Sequence, residues 1–137
     1  MIVLDEEIHG PSIAGPIAAW YVGRVVSITT LRPKTIIKDD AISVLLRAAP
    51  RPTFVTINVT DFWRVIPAEP HFCVICIELP AKHVLAIPDW LRRFFHLPQF
   101  KTKAARMGKV VRLRPNRMEY YEMDRRIREL FWPVASA

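Results

Sequence analysis

No apolar run in the 137 residues approaches the roughly 18 that a membrane-spanning helix needs. The N-terminus also lacks the basic start of a secretory signal. It carries Asp5, Glu6 and Glu7 instead, and a cytoplasmic location is expected. There is no internal repeat and no low-complexity segment. With 51% apolar residues the chain is not disordered, and it is long enough for one domain, residues 1–137, with a sizeable core. Cysteine is scarce: Cys73 and Cys76 only. They form C-x-x-C inside an apolar run, Phe72 to Leu79, that reads as a buried strand. Residues three apart on a strand face opposite sides. That spacing argues against a shared metal or disulfide and for core packing. The four histidines, His9, His71, His83 and His96, show no ligand spacing. His9 alone follows the first acids and is a candidate to line a site.

Acids are also scarce in the last third. Residues 90–137 hold twelve Lys and Arg against four acids, whereas residues 1–89 hold eight against nine. The chain therefore reads as an acidic-site part, 1–89, followed by a basic helical and hairpin tail, 90–137. A basic segment attracts phosphate backbones without reading sequence. A solvated face or a surface for an acidic partner is the plain alternative.

Hydrophobic periodicity orders the elements. Met1 to Leu4 read as a strand, Pro11 to Val22 as a helix, and Val25, Val26 and Ile28 as a second strand. A loop from Thr29 to Ile37 carries Arg32 and Lys34, which are placed to hold phosphate. A second helix runs from Asp40 to Ala49 behind the Asp39–Asp40 pair, where acids suit the helix dipole. The stretch from Thr53 to Trp63 opens as a buried strand and turns polar at Asn58, Thr60 and Asp61. The strand from Phe72 to Leu79 and a helix from Pro88 to His96 follow. Lys101 to Gly108 form a basic connector with Lys101 and Lys103. Val110 to Leu113 and Met118 to Met123 then flank a turn as a hairpin that carries Arg112 and Arg114. Asp124 is expected to cap a short last helix with Ile127, Leu130 and Phe131 on its apolar side. Strands alternating with helices predict an α/β fold: a small parallel sheet flanked by helices, with the hairpin on one edge.

Three places then put acids where such a sheet exposes a site: Asp5 with Glu6, Asp39 with Asp40, and Asp61 with Asn58. Clustered carboxylates repel and attract a divalent cation. Oxygen-only donors suit Mg²⁺ or Mn²⁺, and a metal held by carboxylates can activate water toward a phosphodiester. Such a site beside a basic tail is the equipment of a metal-dependent nuclease. Three unrelated caps and turns would look the same.

Three segments, in order, resemble the signatures of PIN-like domains. They are Met1-Ile2-Val3-Leu4-Asp5-Glu6, Lys38-Asp39-Asp40-Ala41-Ile42 and Val55-Thr56-Ile57-Asn58-Val59-Thr60-Asp61-Phe62. The nearest likeness is to the short stand-alone group related to VapC-type toxins and to the Mut7-C domain. The resemblance implies a PIN-like fold and a Mg²⁺- or Mn²⁺-dependent endoribonuclease, often the toxin of a toxin–antitoxin pair. Its partners would be RNA (tRNA included), an antitoxin protein and a second copy of the chain. Carried over by position, Asp5 matches the first acid, Asp39 or Asp40 the second, Asn58 the Asn of the third motif and Asp61 its closing acid. Asp5, Asp40 and Asp61 would bind the metal, with Asp39, Glu6 and Asn58 in support. One position departs: Val59 stands where the family pattern has an acid. A catalytically impaired relative, binding RNA or protein through its tail, is the alternative this departure raises.

Overall fold

Short runs of β-branched and apolar residues make the strands, and amphipathic segments make the helices between them. In chain order these are β1 Ile2–Leu4, α1 Pro11–Ala18, β2 Val25–Ser27, α2 Ile28–Leu31 and α3 Asp39–Ala48. There follow β3 Thr53–Thr56, α4 Val59–Phe62, β4 Cys73–Ile77, α5 Ile87–Phe95, α6 Lys103–Arg106, β5 Val110–Leu113, β6 Arg117–Tyr121 and β7 Arg128–Phe131. The structure, a computed structural model, describes residues 1–8, 10–31 and 39–133, with only the backbone course at Asp39 and Asp40. Candidates His9, Arg32 and Lys34 lie outside the described residues.

One sheet runs in the order β2-β1-β3-β4-β5-β6-β7. Its first four pairings are parallel and its last two antiparallel. The α/β class is as expected, and the hairpin joins the parallel part by docking β5 alongside β4. The expected last helix is not there. Residues 128–131 form β7, which pairs with β6. A helix opened by Asp124 is stopped at once, because Arg125 sits at φ 62°, in the left-handed region that a right-handed helix cannot use. The Asp124 carboxylate caps the backbone N–H of Arg126 at 3.0 Å and grips Arg128 at 2.7 Å. Strand β7 then covers the edge that β6 would otherwise expose.

Alternation along the central strands feeds two cores. Ile2, Leu4, Val55, Cys73, Ile75, Ile77, Val111 and Leu113 face α1 and α5. Val3, Phe54, Val74, Cys76 and Val110 face α3 and α4. Helix α5 shows why it folds where it does: Ile87, Leu91 and Phe94 recur at helical spacing and are fully buried, while Arg92 and Arg93 are exposed. Its Pro88 lies in the first turn, where no backbone donor is needed. Full burial of one such phenyl or aliphatic side chain is worth about 1.5–3 kcal/mol. Cys73 and Cys76 fall in opposite cores, as their spacing predicts. Burial pushes both thiols up to about 12. Helix α1 is shorter than expected, ending at Ala18. Ile28, read as strand, opens α2.

Strand order places the candidate site. The chain leaves β1 for β2 on one side and returns to β3 on the other. Where strand order reverses in an open α/β sheet, the connections diverge and a crevice opens beyond the carboxyl ends. Here that point lies between β1 and β3.

Candidate active site at the β1–β3 junction

Asp5 is the first residue past β1, and Thr56 is the last of β3. The register sets Leu4 beside Val55, and the Asp5 N–H continues the ladder to the Val55 carbonyl at 3.0 Å. The two side chains therefore meet at the switch point. The buried Thr56 hydroxyl donates to Asp5 Oδ2 at 2.6 Å. The same hydroxyl oxygen accepts the Asn58 N–H at 3.0 Å. With donor and acceptor both used, its rotor is fixed. The other carboxylate oxygen, Asp5 Oδ1, accepts the Glu6 N–H at 2.8 Å. Each carboxylate oxygen has two lone pairs, so the half-buried Asp5 is oriented but not saturated.

The second acid is held by a helix start. Asn58 caps α4: its side-chain oxygen accepts the Asp61 N–H at 3.2 Å, and its amide donates to Asp61 Oδ2 at 2.7 Å. Asn58 is thus an N-cap whose side-chain amide also grips the capped residue, while its own backbone N–H is held by Thr56. It fixes the exposed Asp61 carboxylate one helical turn from the end of β3. Val59, the departure from the family pattern, is half-buried and packs on the α3–α4 core. That position is used for packing rather than for charge. A groove of about 630 Å³ runs from Thr60 and Asp61 past Ser43 and Arg47 of α3 to Val65, Ile66 and Pro67.

The other sequence candidates fall in different places. The backbone of α3 begins at Asp39, and the helix returns the chain from the carboxyl end of β2 to the amino end of β3. Its start thus lies on the carboxyl side of the sheet. Arg112 and Arg114 are at the carboxyl end of β5 and are already engaged. Glu78 receives Arg112 Nη2 and, at 3.0 Å, Arg114 Nε; Arg114 also reaches Glu119 at 3.3 Å. Burial raises the Glu78 carboxyl, but the two guanidiniums outweigh it and hold the group below the usual carboxylate range. Lys101 and Lys103 are exposed at the opposite edge. Burial, and then the charge of Lys103, lowers the pKa of the Met1 amino group there. Lys101 and Lys103 are thus at the other end of the sheet from Arg112 and Arg114.

Thr56, which in the sequence reads equally as a ligand for phosphate or a metal-bound water and as a plain strand former, links Asp5 to Asn58. Ser27 and Thr29 went unnoticed; their hydroxyls share a hydrogen bond of 2.8 Å at the carboxyl end of β2. The signal was a Ser-x-Thr at a strand end, the pattern of a local side-chain turn.

No Lys or Arg among the described residues pairs with Asp5 or Asp61. Their donors are hydroxyl, amide and backbone groups. Such hard, uncompensated oxygens fit Mg²⁺ or Mn²⁺ better than a softer metal. Among the described residues, however, no three His, Cys, Asp or Glu converge as a ligand group. A third carboxylate would have to come from Asp39 or Asp40. Neither a family model, nor a curated protein, nor a solved structure matches this chain.

Proposed function

We propose that the chain is a metal-dependent ribonuclease of PIN-like type, with Asp5 and Asp61 at its centre. The observation that carries the reading is the linked series Asp5–Thr56–Asn58–Asp61 at the switch point. Two carboxylates that pair with no Lys or Arg among the described residues are held there by fixed neutral donors. Asp5, Asp61 and one acid of Asp39–Asp40 would hold Mg²⁺ or Mn²⁺. When bound, the metal would supply charge for the phosphate and a water of lowered pKa. Thr56 orients Asp5 by a charge-assisted hydrogen bond, a class worth about 1.5–3 kcal/mol. Asn58 orients Asp61. By the same resemblance we propose a toxin role with an antitoxin partner and a homodimeric state.

The direct test is cleavage of a mixed tRNA and single-stranded RNA pool with Mg²⁺, with Mn²⁺ and with EDTA. The expected outcome is metal-dependent cleavage that Asp5→Asn and Asp61→Asn both abolish. A second reading is favoured by Val59: with an apolar side chain where the family has an acid, the chain would be a PIN-like module that binds without cutting. A folded wild type inactive in every metal, yet retaining RNA in a salt-dependent manner, would select it.

A further inference from the structure

Away from this edge, a second cavity of about 360 Å³ lies between the segment 64–68 and the β6–β7 turn. Its volume falls within the range of small-ligand pockets. Tyr121 sits in its wall with the phenol donating to the Ile66 carbonyl. Val65, Met123 and Ile127 line it and are 67%, 60% and 40% exposed. Arg64 and Arg125 line it too.

Those two arginines stand apart in two ways. Most cations on the neighbouring strands hold a carboxylate: Lys109, Arg112, Arg114, Arg117 and Arg128 all do. The Arg64 and Arg125 side chains make no ion pair or side-chain hydrogen bond among the described residues. The one acid lining the cavity, Glu122, faces Lys109 at 3.5 Å. In addition, both arginines have backbone φ of 62°. A left-handed conformation is costly for a non-glycine residue, and such strain concentrates where a chain binds ligands. Of the three positive-φ residues other than glycine among the described residues, two line this one cavity.

We propose that this cavity is a binding site for a ring-bearing organic phosphate of nucleoside-monophosphate size. Arg64 and Arg125 take the phosphate, whose oxygens match a guanidinium fork. Val65, Met123 and Ile127 cover the ring. The ligand has two sources: a free nucleotide, or the terminal nucleotide of an RNA strand. The second source is suggested because the cavity shares Val65, Ile66 and Pro67 with the groove that leads to Asp61. Binding here needs neither metal nor cleavage and does not rest on the nuclease reading.

The test is a nuclear magnetic resonance titration of the whole chain in EDTA with adenosine, inorganic phosphate, adenosine 5′-monophosphate and a 5′-phosphorylated tetra-adenylate. The expected result is saturable shifts in amides 64–68 and 121–127, with the monophosphate at least tenfold tighter than adenosine or phosphate. Tetra-adenylate binding well above the monophosphate identifies a strand end; equal binding identifies a free nucleotide. The variant carrying both Arg64→Gly and Arg125→Gly relaxes the strained backbone, so it should fold at least as well as wild type and bind at least tenfold more weakly. A monophosphate no tighter than inorganic phosphate, shifts elsewhere, or unchanged affinity in the double glycine variant would overturn the proposal.

Discussion

Acids in the two halves of this sheet are held in opposite ways. In the hairpin half every acid has a cation: Glu119 with Arg114, Glu122 with Lys109, Asp124 with Arg128 and Glu129 with Arg117. At the β1–β3 junction Asp5 and Asp61 are held by Thr56, Asn58 and backbone N–H groups. Neutral donors orient a carboxylate without cancelling its charge; a guanidinium does both. The hairpin acids are therefore structural neutral pairs. The junction acids have no Lys or Arg paired with them among the described residues, and it is this uncancelled charge that the proposed divalent cation would answer.

The contrast is broken most severely by exchanging charge for amide in each half. Asp5→Asn should reduce metal-dependent cleavage to the EDTA background, whereas Glu119→Gln should leave it unchanged under the same assay. A smaller effect follows from touching only the orienting donor. Thr56→Val removes the hydrogen bond to Asp5 while keeping both carboxylates. Loss of a supporting partner of this kind costs about 10–100-fold in metal affinity or activity, to be read from a Mn²⁺ titration. Smaller still is Glu78→Gln. Folding lowers the Glu78 carboxyl below its unfolded value. Its stabilisation is full above that unfolded value and is lost as pH falls through the depressed folded one. The Glu78 side chain is 35% exposed, so the loss should be about 1 kcal/mol at neutral pH after allowing for solvent screening. Urea denaturation of wild type and variant should converge as the medium is made acidic. Least of all, Glu129→Gln breaks an exposed contact of 3.7 Å with Arg117 and should shift stability within about 0.5 kcal/mol.

The junction was legible because its acids stand at the ends of apolar strand runs, and strand ends are where α/β sheets bind. The order of the parallel strands, with β1 inside, followed from the alternation of strands and helices only in outline. Strand β7 was misread for a physical reason. Ile127, Leu130 and Phe131 have helical spacing, yet Phe131 is 69% exposed and the residues of β7 alternate in burial. What decides that segment is the unpaired edge of β6, a long-range demand that a local period does not register. Thr56 was ambiguous because one residue type serves both β-propensity and hydrogen bonding. The cavity of Arg64 and Arg125 was not legible at all, since nothing in an arginine announces a positive φ. Whether the Lys101, Lys103, Arg112 and Arg114 charges act together was likewise hidden: sheet topology, not sequence distance, sends them to different ends.

The position of β1 has a consequence for how the chain acquires its structure. Ile2 pairs with both Val25 and Thr53, so β1 has partners far along the chain. Strands β5, β6 and β7 pair only with sequence neighbours through short turns on their antiparallel side. Closing long loops is entropically dearer and slower than zipping a meander. The expected order is an early β5–β7 meander, then β4, and last the insertion of β1 between its neighbours. Pulse-labelled hydrogen exchange should accordingly protect the Met118 and Tyr120 amides before those of Val3 and Leu4. Since Asp5 follows β1 directly, the carboxylate at the centre of the candidate site would be the last part of the sheet to reach its place.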